Sequence, residues 1–130
     1  GAAGSFTQSN AGNRSVVGLF GGLKTGPLAW LGEADLIDDQ GFPDGARSML
    51  AALGEVDWAL YKGQNLKVTM EYFDPDRSVA QDQKNRWSVV YELTPMPFVQ
   101  LRVGFRQYDG IPQSNLDNRR QMFLELHGFF

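Results

Sequence analysis

Apolar and polar residues alternate with a period of two through seven segments of this chain, and that period admits strands while excluding amphipathic helices. Ser15 to Lys24 sets Val17, Leu19, Gly21 and Leu23 on one face. Leu28 to Asp38 groups Leu28, Trp30, Gly32, Ala34 and Leu36 opposite Glu33 and Asp35. The longest segment, Ser48 to Tyr61, sets Leu50, Ala52, Gly54, Val56, Trp58 and Leu60 against Glu55 and Asp57. Leu66, Val68, Met70 and Tyr72 are opposed by Lys67, Thr69 and Glu71. Trp87, Val89, Tyr91 and Leu93 are opposed by Arg86, Ser88 and Glu92, and Val99, Leu101, Val103 and Phe105 by Gln100, Arg102 and Arg106. The final segment carries Met122, Leu124, Leu126, Gly128 and Phe130 on one face and Phe123, Glu125, His127 and Phe129 on the other. Gly1 to Ser9 is a candidate eighth strand with weaker alternation.

The connections follow an order of their own. Short turns fall at Thr25-Gly26-Pro27, Lys62 to Asn65 and Thr94 to Pro97. Longer loops fall at Asp38 to Ala46, Asp74 to Asn85 and Asp109 to Asn118. Short and long connections therefore take turns, as in an antiparallel meander whose two ends differ. Fifteen glycines and six prolines suit a fold with many turns. No apolar run reaches about 18 residues, so no transmembrane helix is expected, but alternating strands cross a membrane while looking only half hydrophobic. The 130 residues suit one domain. Starting at Gly1 without Met or a signal segment, the chain is expected to be a processed or partial product.

Such a sheet closes either around an apolar core, as a soluble lipocalin-like or avidin-like barrel, or inside out, with its apolar face toward lipid. The apolar face from Leu50 to Leu60 covers roughly 25 Å at about 3.3 Å per residue and a tilt of about 40°, the height of an outer-membrane apolar band. Trp30, Trp58, Phe98 and Phe130 fall toward the short turns, and Tyr72, Trp87 and Phe105 toward the long loops. Paired aromatic girdles of this kind suit the two lipid interfaces. The ending Met122, Leu124, Leu126, Gly128, Phe130 resembles the C-terminal strand of bacterial outer-membrane, porin-like β-barrels, with Gly128 at a site often aromatic. That resemblance implies an all-β, antiparallel up-and-down transmembrane barrel of about eight strands here, either complete or the C-terminal part of a larger barrel. It also implies recognition of the terminal strand by the barrel-assembly machinery, contact with outer-membrane lipid and an outer-membrane location. The segments Glu71 to Asp76 and Tyr108 to Gln113 resemble C-terminal loops of long envelope barrels, some of which sheathe multihaem cytochromes.

On that reading the polar face lines a lumen. Glu33, Asp35, Glu55, Asp57 and Glu71 are expected to form an acidic wall and Arg86, Arg102 and Arg106 a basic one, with Lys67, Glu92 and Glu125 between. Registers centred on the turns set Lys67 opposite Glu92, Arg102 opposite Glu125, and Asp57 opposite Glu71 as a like-charge pair. In a closed eight-stranded barrel these charges would pair into a plug. In a larger one they would flank a water-filled channel and steer ions. A passive role follows: a pore wall or structural barrel, with an electron-transfer sheath or a soluble ligand-binding barrel as alternatives.

Other chemistries find little support. A net charge of −3 without a basic run argues against nucleic acid. Without cysteine there is no thiolate metal site or covalent haem attachment. The single histidine, His127, shares a face with Glu125, but no Gly-x-Ser-x-Gly or metal-spaced pair accompanies it. No catalytic residue, metal or cofactor is expected. The rim acids Asp74, Asp76, Asp82 and Asp109 are read as solvated or bridged through divalent cations to lipid phosphates, since Asp74-x-Asp76 lacks the remaining ligands of a calcium loop.

Overall fold

A computed structural model of the chain describes residues 1–9, 12–43, 45–112 and 114–129, without the side chains of residues 2 and 5–9. Every regular element in it is a strand: β1 (Ala2–Ser9), β2 (Gly12–Thr25), β3 (Leu28–Asp39), β4 (Arg47–Tyr61), β5 (Gln64–Asp74), β6 (Lys84–Met96), β7 (Val99–Asp109) and β8 (Arg119–Gly128). They form one antiparallel sheet in the order of the sequence. The weakly alternating N-terminal segment joins it as β1, its backbone pairing along β2 from Ala2↔Leu19 to Ser9↔Gly12. Among the described residues the sheet does not close: β1 and β8 make no contact, and each leaves an open edge.

The short connections are tighter than the sequence suggests. Two-residue turns at Gly26-Pro27, Lys62-Gly63 and Pro97-Phe98 join β2 to β3, β4 to β5 and β6 to β7. Gly63 has a φ of 75°, and a Cβ there would lie 2.6 Å from the carbonyl oxygen of Thr94, so only glycine fits. All three turns lie at one end of the sheet. The longer connections 40–46, 75–83 and 110–118 lie at the other.

Bulges adjust the register where the turns shorten. One lies between Ala59 and Tyr61, and a second between Leu93 and Met96 takes in Pro95, whose missing N–H cannot join a ladder. The pairing then keeps faces consistent across the sheet. Trp58 opposes Leu28 and Leu66, Val56 opposes Trp30 and Val68, and Val103 opposes Tyr91 and Leu124. Glu92 opposes Arg102 on the other face.

The sheet exposes far more surface than a compact protein of its mass. A folded monomer of 14.5 kDa has about 6,900 Å² accessible, whereas this chain has 9164 Å². Val90 is the buried apolar residue among those described, with 2 % exposed. On the apolar face Met122, Leu124 and Leu126 are 81, 71 and 73 % exposed, and Val17, Leu19, Leu23 and Met70 are similarly open. The buried residues Gly18, Val90 and Gly104 all lie on the opposite, charged face. Side chains therefore crowd together on the charged face and spread apart on the apolar one, as in a sheet curled toward its charges.

Candidate functional site

The candidate site is the charged face of β3 to β8. Directly opposed residues of antiparallel strands share a face, so each row of the ladder gathers side chains from several strands. One row runs Asn65, Glu92, Arg102, Glu125, and the next runs Asp57, Lys67, Val90, Gly104, Phe123. A third runs Leu31, Glu55, Thr69, Ser88, Arg106, Gln121, and a fourth Phe20, Glu33, Leu53, Glu71, Arg86, Tyr108, Arg119. Asp35 follows in a fifth row, opposite Gly18 and Ala51. All eleven charged residues expected at the lumen, Glu33 through Glu125, thus lie on one face.

Two of the expected pairings are corrected. Lys67 stands opposite Asp57 and Val90, not Glu92, and Glu71 stands opposite Leu53 and Arg86, so Asp57 and Glu71 form no like-charge pair. The two-residue turn at Lys62-Gly63 and the bulge beside Leu60 displace β5 relative to a turn centred lower in the loop. Between β5 and β6 the long 75–83 connection does not fix the register, so its midpoint carries no information. The third expected pairing, Arg102 with Glu125, is present.

The charges nearest the short turns join into a network. Lys67 Nζ lies 3.3 Å from Glu55 and 3.7 Å from Asp57. Thr69 donates to Glu55 at 3.1 Å, and Asn65 donates to Asp57 at 3.2 Å and to Glu92 at 3.5 Å. Arg102 then bridges Glu92 at 2.9 Å and Glu125 at 3.0 Å, and His127 Nε2 meets Glu125 at 3.4 Å. Four carboxylates thereby share two cations.

Toward the long loops the balance reverses. Arg86 pairs with Glu71 and also faces the Tyr108 ring, 5.8 Å from its centre. Lys84 reaches past β7 to Asp117 in the 110–118 loop at 3.2 Å. Arg119 lies over the other part of this cluster, 4.6 Å from the Tyr108 ring centre, and Arg106 lies 4.6 Å from that of Phe123. Among the described residues, Glu33 and Asp35 on β3 have no cationic partner, so acid and base separate across the strands as well.

Several members of this face escape the sequence reading. Phe20, Leu31 and Leu53 are apolar yet occupy it, because assigning faces from the dominant pattern treats apolar residues in polar positions as noise. Arg119 is missed because the terminal alternation is read from Met122, whereas β8 starts at Arg119.

The described aromatic residues expected in the girdles sit on or beside the other face. Trp30 and Trp58 lie in rows close to the short turns, and Trp30 Nε1 donates to Thr25 at 3.1 Å. Phe98 lies within the Pro97-Phe98 turn, where its carbonyl accepts from Phe129 N–H at 3.0 Å. Near the long loops Trp87 and Phe105 tilt against each other with ring centres 5.2 Å apart, and the Tyr72 hydroxyl donates to Asp74 at 3.2 Å. Met122, Leu124, Leu126 and Gly128 follow one face of β8, while Phe130 lies outside the described residues.

Two of the rim acids, Asp74 and Asp76, serve the loop backbone, while Asp82 Oδ1 is buried without a hydrogen-bond partner among the described residues. Asp74 accepts from Asp76 N–H, and Asp76 accepts from both the backbone and hydroxyl of Ser78. Asp109 accepts from Gln107 at 3.1 and 3.2 Å. No group of three or more potential metal ligands occurs among the described residues.

Comparisons with protein-family models, with curated proteins and with solved structures find no match. The functional reading therefore rests on the chain's own geometry.

Proposed function

We propose that this sheet is a section of the wall of a bacterial outer-membrane β-barrel, with its apolar face on lipid and its charged face on a lumen. The observation that carries the reading is the continuous, open apolar face from Val17 on β2 to Leu126 on β8. In water such a surface far exceeds the few hundred Å² of apolar patch that a monomer usually tolerates. Lipid removes the cost, and β4, at 15 residues, exceeds the 9–11 or so that a tilted strand needs to cross. The open edges at β1 and β8 are completed by further strands, because an unpaired backbone edge is not tolerated in hydrocarbon.

The role that fits is passive. The charged face supplies a polarised pore wall, and its ion-pair network stiffens that wall. No nucleophile–base pair or metal-ligand group underlies a catalytic step in this proposal. The test is extraction and partitioning of the purified chain. The proposal expects it to require detergent or lipid to remain dispersed. A stable monomer in plain buffer would overturn it and favour the soluble ligand-binding barrel.

A further inference from the structure

On the charged face, two guanidinium groups differ from four neighbouring cations. Lys67, Lys84, Arg86 and Arg102 each meet a carboxylate. Arg106 and Arg119 meet none among the described residues, and each lies over an aromatic ring instead, 4.6 Å from its centre. Arg106 opposes Gln121 and Arg119 opposes Tyr108, so the two arginines are diagonal neighbours on β7 and β8. Diagonal positions lie about 7–8 Å apart, within reach of two long side chains and a small ligand between them.

A guanidinium carries five N–H donors in a planar fork, more than an aromatic neighbour takes up. Those donors match the oxygens of a carboxylate or phosphate, and charge makes the bonds strong. Arg119 also lines two adjoining cavities of about 350 and 410 Å³ that share Tyr108 and Asp109. Of the acids there, Glu71 pairs with Arg86 and Asp117 with Lys84, while Asp109 accepts from the neutral Gln107 amide.

We propose that Arg106 and Arg119, with the Gln121 amide and the Ser88 hydroxyl in the row of Arg106, form a binding site for a small oxyanion, either carboxylate or phosphate. The proposal rests on the barrel reading for the source of the ligand, a solute in the lumen. The site itself is built within β6 to β8.

The experiment is a titration of the folded chain, in detergent micelles or in whatever medium keeps it dispersed, with sodium phosphate and separately sodium acetate. Chloride holds the ionic strength constant, and the arginine Nε–Hε resonances report each guanidinium. Saturable shifts are expected at Arg106 and Arg119 with at least one oxyanion, while Arg102 stays still. Arg106→Gln and Arg119→Gln should each weaken binding about tenfold or more, with Arg106→Lys intermediate. Linear shifts common to all arginines, showing screening alone, would overturn the site. So would unchanged affinity in both Gln variants. The complete barrel is titrated in the same way. If Arg119 is silent there because a strand paired with β8 supplies a carboxylate, the free-oxyanion site is also overturned. Failure of the membrane reading is seen separately, as a chain that needs no detergent.

Discussion

The ring of Phe123 covers Gly104, its directly opposed partner on β7, so closely that a Cβ at Gly104 would collide with the ring edge. Val90 lies on the far side of Gly104 in the same row and is the most enclosed apolar side chain. The glycine thus makes room for an aromatic that lies under Arg106.

Gly104→Ala should push the ring aside and destabilise the folded sheet by about 1–3 kcal/mol, the usual range for overpacking. In a Phe123→Ala background the same change should cost little, because the obstacle is gone. Urea unfolding from lipid vesicles measures both. Equal costs in the two backgrounds would show that Phe123 is not what Gly104 accommodates.

Arg102 holds two carboxylates at once, with its side chain 27 % exposed and that of Glu92 18 % exposed. Arg102→Met leaves Glu92 half-buried and short of a cation, so a loss of about 1–3 kcal/mol is expected. Lys84→Met breaks the more open pair with Asp117 and should cost less than about 1 kcal/mol. Raising the salt concentration should shrink the Lys84 effect more than that of Arg102. The reverse ranking in the unfolding series would contradict the network described for the short-turn end.

How much of this was legible in the sequence depends on what sets each feature. Face assignment follows from a period of two, so Leu50 through Leu60 and Glu55 with Asp57 are readable without a structure. Register depends on details of the turns. Arg102 and Glu125 could be matched across the last hairpin, but the bulge beside Leu60 moved Lys67 to Asp57, and the long 75–83 loop left Glu92 to Asn65. The placement of Arg106 over Phe123 and of Arg119 over Tyr108 needs both register and rotamer, which no pattern of residue types encodes. Closure was not legible either, since strand count and alternation are the same for an open sheet and a barrel.

The loop residue Asp76 gives a pH signature outside the sheet. Hydrogen bonds from the Ser78 hydroxyl at 2.6 Å and its backbone N–H at 3.0 Å hold the Asp76 carboxyl below the ordinary aspartate range, and Arg47 at 3.9 Å adds to this. A carboxyl depressed on folding contributes stability above its unfolded pKa, and that contribution is lost as pH falls through the folded value. Ser78→Ala should therefore raise the Asp76 midpoint toward that of a free aspartate. Carboxyl-detected NMR titration reads the shift, and an unchanged midpoint would mean that the Ser78 hydroxyl bond is not formed in solution.

The orientation of the two faces is tested most directly on β4, because the chain contains no cysteine of its own. Single substitutions Ala51→Cys, Ala52→Cys, Glu55→Cys and Val56→Cys, each carrying a nitroxide in lipid vesicles, compare collision with oxygen against collision with a water-soluble nickel chelate. Ala52 and Val56 share the apolar face, and Ala51 and Glu55 share the charged one. Positions 52 and 56 should favour oxygen and positions 51 and 55 the nickel chelate, alternating residue by residue. The opposite alternation, or uniform access of the chelate to all four, would contradict a lipid-facing apolar surface.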